Sequence, residues 1–205
     1  MNGVYKIYGD YESLGLSLDD IRYIIEQNPK LTEAQLHELF SQYAKVINAT
    51  PDLVKKCGAL TVFEQFIALA AYDAAHGGNY ALRQPVVNMP NLLPGIEEAM
   101  AEMGVMENGQ VPWPLTPSLD PVYDAVDPTG QKWDEKSYRS VDTNGDPYNP
   151  AKTARKLAKD INRGEKIIFD DSQLTQQEID ETSKELKKNG MEKDVIWWPT
   201  QPTGL

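Results

Sequence analysis

Two aspartates and a lysine, Asp124, Asp134 and Lys136, are spaced so that one tight β-turn between them gathers all three. Pro128-Thr129-Gly130 suits a three-residue hairpin loop. Proline favours the second position of a type I turn, and glycine accepts the left-handed residue that follows. With that loop Asp127 faces Gln131, Asp124 faces Asp134 and Val122 faces Lys136. Alternation along the strands then sets Asp124, Asp134 and Lys136 on one face, and Tyr123, Ala125 and Trp133 on the other. Two carboxylates directly opposite each other sit about 5 Å apart and repel. A divalent cation between them removes that penalty, and carboxylate oxygens are the ligands Mg²⁺ prefers. A lysine on the same face can then polarise a water or steady charge on a phosphate. The bland alternative is an exposed hairpin with solvated charges, because a D-x-K triplet arises readily by chance.

The elements that must hold this hairpin read as a mixed sheet with helices. Strands are expected at Pro121 to Asp127 and Gln131 to Tyr138. A helix follows, capped by Asn149 with Pro150 first and Leu157 and Ile161 inward. The strand 166–169 is next, then a helix opened by the capping box Thr175–Glu178 and ended at Gly190, then the strand 194–198. The last two strands and their crossover form a right-handed parallel unit. The first half is helical throughout. Ser17 caps a helix from Leu18 to Gln27, and Thr32–Gln35 is a capping box for a helix that turns Leu36, Leu39, Phe40, Tyr43 and Ile47 inward. Thr50-Pro51 opens a short helix, and Thr61–Glu64 reads as a further capping box. Its helix carries Phe63, Phe66, Ile67, Ala70 and Ala74, and Gly77-Gly78 ends it. From Gln84 to Pro121 prolines punctuate the chain around one short helix, Gly95 to Met103. The fold class is therefore α+β: a helical module, 1–84, and a mixed sheet with flanking helices, 85–205.

Composition narrows the chemistry. The 205 residues carry one cysteine, Cys57, and two histidines, His37 and His76, which excludes disulfide frameworks and Cys- or His-based metal centres. Cys57 reads as a structural thiol. No apolar stretch approaches the roughly 20 residues that span a bilayer. The N-terminus lacks the basic patch and apolar run of a signal peptide, so export requires something outside this sequence. A net charge of −11 argues against broad attraction to nucleic acid. Against it stands a basic stripe on one helix: Lys152, Arg155, Lys156, Lys159 and Arg163.

The run Asp124…Asp134-Glu-Lys136, followed by helix, strand, helix and strand, resembles the PD-(D/E)xK restriction-endonuclease-like family. More narrowly, the last 85 or so residues, with the tail INRGEKIIFDDSQLTQQEIDETSKELKKNGMEKDVIWWP, look like C-terminal nuclease domains of contact-dependent inhibition and related polymorphic toxins. The resemblance implies metal held by Asp124, Asp134 and a helix glutamate (Glu97 or Glu98), with Lys136 assisting the water. In some members the lysine has moved to the following helix, which makes Lys152 a reserve candidate. It also implies Mg²⁺ or another divalent cation, and cleavage of DNA or tRNA in a target-cell cytoplasm. Delivery is then from the cell surface as part of a larger protein, with the helical module meeting a membrane receptor. The expected partner is a cognate immunity protein that occludes the site. The rival expectation is a non-catalytic acidic interaction protein, immunity-like or a virion component.

Two further motifs read as structure. Asp142-Thr-Asn-Gly-Asp146 hints at a calcium loop, but Pro147 stands where an EF-hand needs glycine and Thr153 where it needs glutamate. Trp197-Trp198 reads as the end of a core strand.

Overall fold

A computed structural model describes residues 9–27, 29, 31–76, 96–118, 120, 122–142 and 144–203. The chain divides into two compact units, Met1–Met103 and Gly104–Leu205. The boundary expected at residues 84 and 85, most of the proline-rich link and the Gly77-Gly78 stop lie outside the described residues.

The first unit is helical. Its elements are α1 (Leu18–Gln27), α2 (Glu33–Ala49), α3 (Pro51–Cys57) and α4 (Ala59–His76), and α5 (Ile96–Glu107) crosses the division. The Ser17 hydroxyl accepts the Asp20 amide at the head of α1. Thr32 and Gln35 form the reciprocal capping box of α2. Apolar residues at helical spacing make the core: Ile21 and Ile24 from α1, Leu39, Phe40 and Tyr43 from α2, Phe63 and Phe66 from α4. Tyr43 meets Phe63 edge-on at 4.8 Å and donates its hydroxyl to the Ala59 carbonyl. Three expectations need correction here. Val46, rather than Ile47, is the buried residue in the last turns of α2. Thr61 caps nothing, because α4 starts at Ala59, where Gly58 at φ 87° reverses the chain and its carbonyl accepts the Val62 amide. The helix expected from Gly95 to Met103 runs from Ile96 to Glu107.

The second unit is built on a five-stranded sheet in the order β1 (Thr116–Pro117), β2 (Ala125–Val126), β3 (Lys132–Arg139), β4 (Glu165–Gln173), β5 (Val195–Trp198). β1–β2 and β2–β3 are antiparallel, whereas β3–β4 and β4–β5 are parallel. The crossovers are α6 (Pro150–Ile161) and α7 (Gln176–Lys188), opened by Asn149 and by the Thr175–Glu178 box as their sequences dictate. Ala154 and Leu157 of α6 and Ile179 and Leu186 of α7 pack with Ile167, Phe169, Val195 and Trp197 on one sheet face. β4 is buried on both faces through its middle, as expected of a strand with parallel neighbours on either side. The fold is thus α+β, a mixed sheet with flanking helices. Among the described residues no helix is long and apolar enough to cross a membrane.

The strand expected at Pro121 to Asp127 shrinks to Ala125–Val126. Upstream, the Ser118 hydroxyl accepts the Asp120 amide and the Asp120 carboxylate accepts the Val122 amide, turns that local side-chain acceptors favour over a ladder. On the sheet face away from α6, a Cβ at Gly104 of α5 would overlap the Trp198 indole. Gly104→Ala gains about 1 kcal/mol of helix propensity, yet an overlap of this size costs about 1–3 kcal/mol or more. The urea midpoint of the variant is expected to fall; an unchanged or raised midpoint would show that the indole moves aside freely.

Candidate functional site

The hairpin has the register its loop chemistry requires. Ala125 pairs with Trp133 and Val126 with Lys132, the Asp127 amide reaches the Gln131 carbonyl, and Gly130 takes φ 88°. Asp127 spends its carboxylate on this turn. One oxygen accepts the Thr129 amide and hydroxyl at 2.8 and 2.6 Å, and the other accepts the Trp133 indole N–H at 2.9 Å. Burial raises the pKa of such a carboxyl, but these donors outweigh it and hold Asp127 below its ordinary value.

Asp124 and Asp134 therefore meet side by side. The Asp124 Oδ2 accepts the Glu135 amide at 2.6 Å, and the two carboxyls lie within hydrogen-bond reach of each other. Lys136 Nζ is 2.6 Å from Asp134 Oδ1. These three of the sequence candidates come together on one face. Asp134 is 3 % exposed. Its burial, opposed by Lys136 but reinforced by Asp124, pushes its pKa up to about 7. For Lys136 burial works against the charged form, but Asp134, Asp124 and Asp160 outweigh it and hold the ammonium above its usual value. Two like charges 4 Å apart cost roughly 4 kcal/mol at an effective dielectric of 20. One half-exposed lysine does not cancel that, so the pair retains a proton or takes a cation.

Two residues that sequence reasoning missed complete the cluster. Oxygen atoms of Asp134, Asp160 and Glu165 lie within 4.8 Å of one another. Glu165 opens β4 opposite Lys132, two residues before Ile167, the partner of Asp134, so strand alternation sets it on the same face. Asp160 follows Leu157 by three residues on α6 and shares its inward side. Those periodicities carried the signal; only the pairing of β3 with β4 makes it readable. Arg163 in the turn between them bonds Glu165 with Nε at 2.9 Å and Nη2 at 3.1 Å, and Asp160 at 2.7 Å. Four carboxyls thus face two cations, Lys136 and Arg163. The donors are all oxygens, the set that hard divalent ions such as Mg²⁺ or Mn²⁺ select. The residues present fit such an ion.

The other candidates lie elsewhere. Lys152 is on the first turn of α6, eight residues from Asp160, or about 12 Å along the axis. It stands near Asp142 in a cleft beyond Tyr138, away from Asp134. Glu98 is half-buried on α5 in the first unit, and the Glu97 side chain lies outside the described residues. The basic stripe divides in two ways. Arg155 folds back onto the Ala151 carbonyl of its own helix, and Arg163 serves the carboxyl cluster. Asp142–Asp146 is a turn in which the Asp142 carboxylate accepts the Asn144 and Asp146 amides at 2.8 and 3.0 Å. Cys57 is half-buried and free. No family model, no curated protein and no solved structure matches the chain.

The raised Asp134 value has a sign that can be checked. Its folded value lies above the ordinary 3.8, so between pH 4 and 7 the native state keeps a proton that the unfolded chain has lost. Stability from this group is present at low pH and falls as pH rises through that window, by up to roughly 4 kcal/mol. Chemical denaturation in EDTA should show the wild type losing stability from pH 4 to 7 relative to Asp134→Asn. Parallel pH profiles would mean that Asp134 titrates normally.

Proposed function

We propose that the chain is a metal-dependent nuclease that hydrolyses phosphodiester bonds of DNA or tRNA, with the second unit carrying the site. The observation that supports this reading most is the single-face grouping of Asp124, Asp134 and Lys136, with Lys136 Nζ 2.6 Å from the buried Asp134. Asp134, Asp160 and Glu165 would hold a Mg²⁺ or similar ion, with Asp124 alongside. Bound there, the ion supplies Lewis-acid polarisation of a phosphoryl oxygen.

The chain's own residues divide the remaining work. Lys136 stays protonated because acids surround it, so it acts as a cation toward the phosphate and not as a base. Asp134 would serve the ion as a carboxylate, giving up on binding the proton it holds in the free chain. Arg163 fixes the orientation of Glu165 and Asp160 through its forked bonds. In the fuller reading this is a restriction-endonuclease-like toxin domain, delivered from the cell surface within a larger protein, held inactive by an immunity protein and active in a target-cell cytoplasm.

A second reading draws on the net charge of −11: an acidic protein that binds a basic partner and cuts nothing. One assay separates the two. Supercoiled plasmid and total tRNA are incubated with the full chain in Mg²⁺ or in EDTA, beside Asp134→Ala. Cleavage in Mg²⁺ alone, reduced at least 100-fold in the variant, is the expected result. Intact substrates in every lane favour the acidic binding protein.

A further inference from the structure

A cleft of about 500 Å³ opens between the end of β3 and the first half of α6. Tyr138 and Arg139 of β3, Tyr148, and Lys152, Thr153 and Lys156 of α6 are among its walls. Two independent elements lead from the carboxyls into it. Along β3 the residues Asp134, Lys136 and Tyr138 share one face, so the cleft lies about 13 Å from Asp134. Along α6 the residues Lys152, Lys156 and Asp160 form one ridge at four-residue spacing, so Lys152 lies about 12 Å from Asp160. The two measures agree.

The cleft carries a small positive excess on a chain of net charge −11. Arg139, Lys152 and Lys156 line it together with Asp142 and Asp146. The Asp142 carboxylate is directed to the amides of its own turn. Lys152 and Lys156 are exposed, and α6 presents its positive end at the same place. Tyr138 and Tyr148 are packed edge-on against each other at 5.8 Å, and Tyr138 stacks on Phe169, so neither ring is a platform for a base. The walls suit a phosphate and offer little to read a sequence with.

We propose that this cleft binds the phosphate backbone of the nucleic acid strand being cut, with Lys152 and Lys156 as its cations, without regard to base identity. This inference rests on the nuclease reading. A separation of about 12 to 13 Å spans a few nucleotides of one strand. The cleft therefore holds the strand a few nucleotides from the bond at Asp134, and it concentrates substrate locally on a chain whose net charge repels it.

The test uses the full chain in EDTA, so that binding is read apart from cleavage. A fluorescein-labelled 20-base-pair duplex and its single strand are titrated by anisotropy between 50 and 200 mM salt. Lys152→Gln/Lys156→Gln is expected to weaken binding about 10-fold or more at the lower salt. It should also flatten the salt dependence by roughly 0.9 for each phosphate that the variant no longer neutralises. Lys184→Gln/Lys188→Gln on α7 removes the same charge elsewhere and should leave binding within about twofold. Inorganic pyrophosphate should compete with the duplex on the wild type and not on the α6 variant. No binding by the wild type, equal weakening in both variants, or an α6 variant that binds as the wild type does would each overturn the proposal. Competition by polyglutamate as effective as by duplex would assign the cleft to an acidic protein and overturn it as well. The nuclease reading fails separately: binding through the cleft with no cleavage in Mg²⁺ rejects the enzyme and keeps the subsite, and Asp134-dependent cleavage with an unchanged KM in the α6 variant does the reverse.

Discussion

Asp124 and Asp134 are brought together by a turn that leaves them no other arrangement. Pro128, Thr129 and Gly130 set the register, Asp127 locks the loop with both of its oxygens, and the opposed carboxyls follow from strand geometry alone. Repulsion between them would open this end of the sheet if nothing answered it. Lys136 answers part of it at 2.6 Å, and Asp134 answers the rest by holding its proton up to near-neutral pH. A hairpin that carries such a penalty in its native state gives a cation an electrostatic reason to bind.

The remainder of the second unit makes that penalty larger and more specific. Asp134 pairs across the strands with Ile167, a residue of the apolar core, and its burial desolvates the carboxylate. The turn from α6 into β4 then adds Asp160 and Glu165 from one side and Arg163 to hold them. α6 thus has opposite electrostatic characters at its two ends. Its C-terminal end carries acid into the cluster, and its N-terminal half carries Lys152 and Lys156 into the cleft.

What could be read in advance was local. The hairpin register and the Asn149 and Thr175 caps depend on residues within a few positions of each other, and the structure carries them as read, as it does the parallel unit of the last two strands. Asp160 and Glu165 were hidden because their approach to Asp134 depends on β3 pairing with β4 across a crossover, which no window of sequence displays. Arg163 was counted with a solvated stripe for the same reason: its partners are in hydrogen-bond reach only once α6 has packed. The short β2 and the early start of α4 were lost to side-chain and glycine turns that compete with regular structure over one or two residues.

Titration calorimetry of Mg²⁺ or Mn²⁺ into the full chain at neutral pH reaches the central claim most directly. One divalent ion per chain should bind with release of a proton, visible as a heat that depends on the ionisation enthalpy of the buffer, and both signals should vanish in Asp134→Asn. No binding by the wild type, or the same binding with no proton release in Asp134→Asn and wild type alike, would contradict the account.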